Sequence, residues 1–149
     1  MNTMIAIGSD HAGFEYKEYF KKLLSDMGHP YQDFGTFSTE PVDYPDIADV
    51  VSKAISSHTF DLGILICGTG IGMSIAANKH NGIRAAVCES SASAKLSREH
   101  NDANILCLGE RITSLETAIE IVKAFLTTPF SGEERHNCRI QKIHSLTGL

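Results

Sequence analysis

The sequence predicts an α/β fold: three layers, with a five-stranded, mainly parallel sheet flanked by helices. Three observations carry this reading. Short apolar runs alternate with helically spaced apolar residues from one end to the other, as βαβ units require. Leu62 to Cys67 is an almost unbroken apolar run, the mark of a central parallel strand buried on both faces. No linker, repeat or low-complexity tract interrupts the 149 residues, a length suited to a single domain over 1–149 with one hydrophobic core.

The elements follow in order. Met4 to Gly8 reads as the first strand. Phe14, Tyr16, Tyr19, Phe20, Leu23, Leu24 and Met27 then recur at helical spacing, with Gly28 as the C-terminal cap. Tyr31 to Phe34 gives a short second strand, and a polar loop runs to Pro45. Ile47, Val50, Val51, Ala54 and Ile55 mark the next amphipathic helix. After the central strand, Gly68 opens a helix through about Lys79. Arg84 to Cys88 is the fourth strand, Ser90 to His100 a helix of small residues, and Ile105 to Leu108 the fifth strand. Thr113 and Glu116 form a capping box for a helix with Leu115, Ile119, Val122, Phe125 and Leu126 on its apolar face, ended by Pro129. The last segment, Glu134 to Ser145, keeps only Ile140 and Ile143 apolar, too sparse a stripe to bury alone, and is expected to pack on a second subunit. Together these make a Rossmann-like sheet, whose ligands sit at the carboxyl ends of the strands.

Composition narrows the function. Lys+Arg 13 against Asp+Glu 18 gives a net charge of -5 with the basic residues scattered, which argues against a nucleic-acid partner. There is no signal-peptide pattern and no apolar stretch of membrane-spanning length, so a cytoplasmic protein without a membrane partner is expected. Cys67, Cys88, Cys107 and Cys138 lie far apart, without zinc spacing, and are read as free thiols. Nor do His29, His58, His80, His136 and His144 share ligand spacing, so no metal is expected.

The densest chemistry is Cys67-Gly68-Thr69-Gly70-Ile71-Gly72, a thiol at the end of the buried strand and three glycines at a helix start. Such glycines let backbone N–H groups face an anion, beyond what a tight turn demands, and the helix dipole favours a thiolate. As a dinucleotide fingerprint the loop is a partial match only, with Met73 where the third glycine belongs and Glu89 where a ribose-binding acid would sit. It lacks the lysine of a P-loop and the arginine of a cysteine phosphatase. Cys88 and Cys107 read as small core hydrophobes. Asp10 and His11 follow the first strand, where Asp10 is equally a helix cap. His100, Asn101 and Asp102 form a second polar cluster, with His100 either an acid–base group or a solvated helix end. Arg111 follows the fifth strand, and Arg135 and Arg139 share one face of the last helix, able to grip phosphate or to form a solvated basic face.

These residues carry a resemblance. Gly8-Ser9-Asp10-His11-Ala12-Gly13-Phe14, Ile66-Cys67-Gly68-Thr69-Gly70-Ile71-Gly72, the run from Ser97 to Asn104, and Arg135-His136-Asn137-Cys138-Arg139 occur in the order found in type B ribose-5-phosphate isomerases. That group belongs to the sugar-phosphate isomerase family with the allose- and galactose-6-phosphate isomerases, and the resemblance spans essentially the whole chain. It implies interconversion of ribose 5-phosphate and ribulose 5-phosphate through a cis-enediolate, a pentose phosphate pathway step, with no metal or organic cofactor. It further implies Cys67 as the base, His100 assisting ring opening, and Asp10, His11 and Asn101 on the sugar. Arg111, Arg135 and Arg139 with His11 would surround the phosphate, and the N–H groups from Gly68 to Gly72 the developing oxyanion. One branch of the family uses a glutamate after the glycine loop as base; Met73 stands there, so the sequence resembles the cysteine branch. Members are dimers or dimers of dimers, with a site built from both chains.

Three other readings compete. An allose 6-phosphate or other hexose 6-phosphate substrate differs by one carbon, which pocket depth decides. A cysteine hydrolase would use Cys67, His100 and Asn101 or Asp102. A non-enzymatic sugar-phosphate or nucleotide binder would need only the glycine loop.

Overall fold

Each predicted apolar run becomes a strand in the computed structural model, which describes residues 3–149. The strands are β1 (Ile5–Ser9), β2 (Tyr31–Asp33), β3 (Leu62–Cys67), β4 (Ala85–Val87) and β5 (Ile105–Gly109). They form one sheet in the order β2-β1-β3-β5-β4. Every pairing is parallel, with Ser9 opposite Ile66 and Cys67 opposite Gly109, so the expected mainly parallel sheet is parallel throughout. The fourth strand is shorter than predicted: Arg84 lies outside it, its N–H donating to the Asn104 Oδ1 that closes the strand's start.

Alternation on the strands sorts the core into two layers. Ile5, Ile7, Ile64, Ile66, Leu106 and Leu108 face α1 (Phe14–Asp26), α4 (Ser91–Asn101) and α5 (Leu115–Thr127). Ala6, Leu65, Cys67, Ile105 and Cys107 face α2 (Tyr44–Ser56) and α3 (Ile71–Ala77). Two helix starts depart from prediction. The α5 cap is Ser114, whose Oγ accepts from the Thr117 N–H; Thr113 is buried, its carbonyl taken by the Tyr16 hydroxyl, so the predicted Thr113–Glu116 capping box does not form. The helix expected from Gly68 begins only at Ile71, because Gly70 at φ 80° lies outside helical geometry, and it ends at Ala77. The last helix, α6 (Glu134–Thr147), buries only His136, as its sparse apolar stripe predicts. In this chain it rests on the end of α4 through His136 against His100, and His144 Nε2 lies 2.8 Å from Arg84. Among the described residues no helix is long and apolar enough to cross a membrane.

On α1 the buried face is Lys17, Phe20 and Leu24, while Tyr19, placed on the apolar face from sequence, is exposed. The Lys17 side chain is 0 % exposed and its Nζ donates to Asp33 Oδ2 at 2.6 Å. Lys21 donates to the same oxygen at 3.0 Å, and the Gly35 N–H to Oδ1 at 2.8 Å. Burial alone would raise the Asp33 pKa, but these donors outweigh it and hold the carboxyl below its ordinary 3.8. A depressed folded-state value means the stabilisation is present above the unfolded pKa and lost as pH falls through the folded one. Urea midpoints are therefore expected to fall more steeply below pH 3.8 in the parent protein than in Asp33→Asn; parallel acid limbs would refute the assignment.

Candidate active site

The sheet reverses direction of growth between β1 and β3, which places a crevice beyond their carboxyl ends. Asp10 follows one strand and Cys67 ends the other. Both line an open cavity of about 410 Å³ with Tyr44, Gly68, Thr69, Ile71, Gly72 and Ile75. Arg111 stands at its rim, its Cδ and Nη1 each 3.4 Å from where a Cβ on Gly68 would lie. The loop after β5 is tied there, the Glu110 N–H donating to the Cys67 carbonyl and the Arg111 N–H to that of Gly68, both at 3.0 Å.

Within the glycine loop, the Gly70 N–H donates to Cys67 Sγ at 3.1 Å. The Ile71 N–H donates to Thr69 Oγ1 at 3.2 Å. Two of the N–H groups expected to face a ligand are thus engaged within the loop itself. Gly72 packs directly under the Tyr44 ring, which a Cβ there would displace. Tyr44 is a site residue that sequence reading missed: it lay at the end of a polar loop, with no spacing to connect it to residue 72.

Asp10 is a cap, as one of its readings had it, and it also borders the cavity. Its Oδ1 accepts from the Gly13 N–H at 3.1 Å, capping the turn His11–Gly13, while the carboxylate borders the cavity. His11 Nδ1 accepts from the Val42 N–H at 3.2 Å, so in the neutral ring the proton sits on Nε2, which is left to donate to a ligand. Glu110, next to Arg111, accepts from the Tyr16 N–H at 2.8 Å; burial pushes its carboxyl above the ordinary value, with Glu15 and Asp10 adding to the effect. Burial also raises the Cys88 thiol, and that of Cys107 well above its usual value, which leaves both as core packing. Among the described residues no group of three or more His, Cys, Asp and Glu side chains could hold a metal ion.

His100, Asn101, Arg135 and Arg139 are not in this crevice. A helix that follows a parallel strand runs back along the sheet, so the C-terminal end of α4 lies beside the strand starts. Three residues past Asn101, the Asn104 carbonyl accepts from the Gly63 N–H at the start of β3, whereas Cys67 is at that strand's end. The four residue steps of strand from Gly63 to Cys67 separate the two by roughly 13 Å. There His100 stacks on His136, ring centroids 4.4 Å apart, and Ser131 Oγ lies 2.7 Å from His136 Nδ1. Arg135 and Arg139 are exposed on α6, Arg135 Nε donating to Glu133 at 2.8 Å. The residues singled out from sequence therefore fall into two groups at opposite strand ends of one sheet. Asp10, His11, residues 67–72 and Arg111 make one; His100, Asn101, Arg135 and Arg139 make the other.

Comparison with known proteins agrees with this arrangement of elements. The family model described as Ribose/Galactose Isomerase matches residues 5–143. The chain is 47% identical over 142 residues to ribose-5-phosphate isomerase B of Escherichia coli (strain K12), covering 95% of each protein. The solved ribose-5-phosphate isomerase B of Clostridium thermocellum is similar at 50% identity and a TM-score of 0.95, covering 97% of both chains. The type B ribose 5-phosphate isomerase of Trypanosoma brucei is similar at 47% identity, also with a TM-score of 0.95, over 98% of this chain and 99% of that one.

Proposed function

Since the chain belongs to the ribose/galactose isomerase family, we propose that it interconverts ribose 5-phosphate and ribulose 5-phosphate through a cis-enediolate. The observation that carries the mechanism is the Gly70 N–H to Cys67 Sγ contact at the mouth of the cavity. As a thiolate, Cys67 takes the proton from C2 of the open-chain aldose and, as the thiol, returns it to C1, while the developing oxyanion is met by N–H groups of Gly68, Thr69 and Gly72. Asp10 binds the sugar, and His11 Nε2 and Arg111 bind its phosphate from the same edge.

The remaining groups come from a second copy of the chain. His100 assists ring opening, Asn101 holds the sugar, and Arg135 and Arg139 close on the phosphate. Two features support this dimer, or a dimer of dimers. The two half-sites cannot meet within one chain, and exposed apolar side chains flank both: Ile75 beside the cavity is 58 % exposed and Leu146 on α6 84 %. The hydrolase reading fares worse, because it needs Cys67 and His100 in hydrogen-bond contact and offers no use for three arginines.

Turnover of ribose 5-phosphate in deuterated water is expected to put solvent deuterium at C2 of the recovered aldose. Turnover with no exchange at all would favour a direct hydride shift from C2 to C1 over the enediolate. A higher kcat/KM for allose 6-phosphate than for ribose 5-phosphate would move the assignment to a six-carbon substrate. His100→Asn is expected to slow the reaction from cyclic ribose 5-phosphate by roughly 10²-fold while the reaction from open-chain ribulose 5-phosphate suffers much less. Equal losses in both directions would remove His100 from ring opening.

A further inference from the structure

Lys17 is among the largest fully buried side chains of the protein's described residues, and nothing in the proposed mechanism uses it. We infer that Lys17, acting through Asp33, is a positioning residue for the sugar-phosphate site: the pair fixes the segment that holds His11 and Tyr44 in place. The inference rests on the isomerase reading above and adds to it a residue that touches no substrate.

The chain of contacts is continuous. Lys17 grips the segment twice, through Asp33 at 2.6 Å and through the Phe37 ring, whose centroid lies 5.4 Å from Nζ. Between those points Asp33 Oδ1 receives the Gly35 N–H, the Gly35 carbonyl receives the Ser9 N–H at 2.7 Å, and the Thr36 N–H donates to the Ser9 carbonyl at 2.6 Å. Ser9 immediately precedes Asp10 and His11. Residues 37–41 are exposed, and the next fixed point is the Val42 N–H on His11 Nδ1, two residues before Tyr44 enters the cavity. The exposed stretch therefore depends on its two anchored ends for direction, and one of those ends is the buried ion pair.

A buried ion pair is a poor device for stability alone, since apolar residues of similar volume often serve as well or better. What an apolar pair cannot supply is directional donors that fix the carboxylate, and through it Gly35 and Ser9. The test is the charge-free double variant Lys17→Met/Asp33→Asn, beside Lys21→Met, which removes only the more exposed partner of Asp33. In the double variant kcat/KM for ribose 5-phosphate is expected to fall roughly 10- to 100-fold, mostly through KM, as the His11 and Tyr44 positions drift. The ¹⁵N shifts of the neutral His11 ring are expected to change from a single Nε2–H tautomer to a mixture. Lys21→Met should leave both readouts near the parent values. The isosteric Asp33→Asn carries the same expectations in a smaller change, should the double variant fold poorly. A folded variant with parent kcat/KM and parent His11 shifts overturns the inference, as does a lowered Tm with both of those unchanged. If the parent protein does not turn over ribose 5-phosphate, the isomerase reading falls, and the His11 shifts still decide whether Lys17 sets that ring.

Discussion

Cys67→Ala is expected to lower kcat for ribose 5-phosphate by roughly 10²- to 10⁴-fold, the share a positioned base contributes, while the protein remains folded. In energy this is about 3–5 kcal/mol of transition-state stabilisation. The loss should appear in kcat more than in KM, because under the proposed function Asp10, His11 and Arg111 bind the sugar phosphate without Cys67. The structural cost is small: Sγ accepts one hydrogen bond, from Gly70, and removing it leaves that N–H without a partner at a cost of about 1 kcal/mol. No other thiol can take over, since Cys88 and Cys107 are buried in the core and Cys138 is exposed on α6. Solvent exchange at C2 should disappear along with turnover. A variant that keeps more than roughly a tenth of parent turnover would show that the proton moves by another group.

The prominence of Cys67 was readable from sequence for physical reasons. A strand buried on both faces must be apolar throughout, so Leu62–Cys67 declared its place in the sheet, and the glycines after it declared a close approach of backbone. Lys17 was not readable. Its spacing belongs to the buried stripe of α1, but a lysine there scores as a surface residue unless its partner is known, and Asp33 lies beyond the helix on β2. Tyr44 was hidden likewise, because its neighbour across the cavity is Gly72, a contact made only by tertiary packing. The α3 start was missed because Gly70, counted into the helix by its apolar neighbours, takes a left-handed conformation. The separation of the two groups of residues follows from topology. In any parallel βαβ sheet the end of a strand and the end of a helix lie on opposite edges, so Cys67 and His100 could not belong to one crevice of one chain.

That separation gives the second large prediction. Chains carrying Cys67→Ala and chains carrying His100→Asn, each nearly inactive on cyclic ribose 5-phosphate, are expected on reassortment to recover about a quarter of parent activity. In a two-fold dimer each site takes its crevice from one chain and its His100 edge from the other. A mixed dimer therefore has one site bearing both substitutions and one bearing neither. Random mixing makes about half the dimers mixed, and half of their sites are intact. The pairing of defects by edge is the sharper part of the test. Cys67→Ala should be rescued equally by Arg139→Met, whose residue lies with His100, but not by Arg111→Met, whose residue lies with Cys67 at the same crevice. In that last mixture every site retains one defect, whichever chains combine. Activity no higher than the average of the two parents in the Cys67→Ala and His100→Asn mixture would mean that the halves do not meet across a dimer. Rescue by Arg111→Met would mean that Arg111 serves the opposite site.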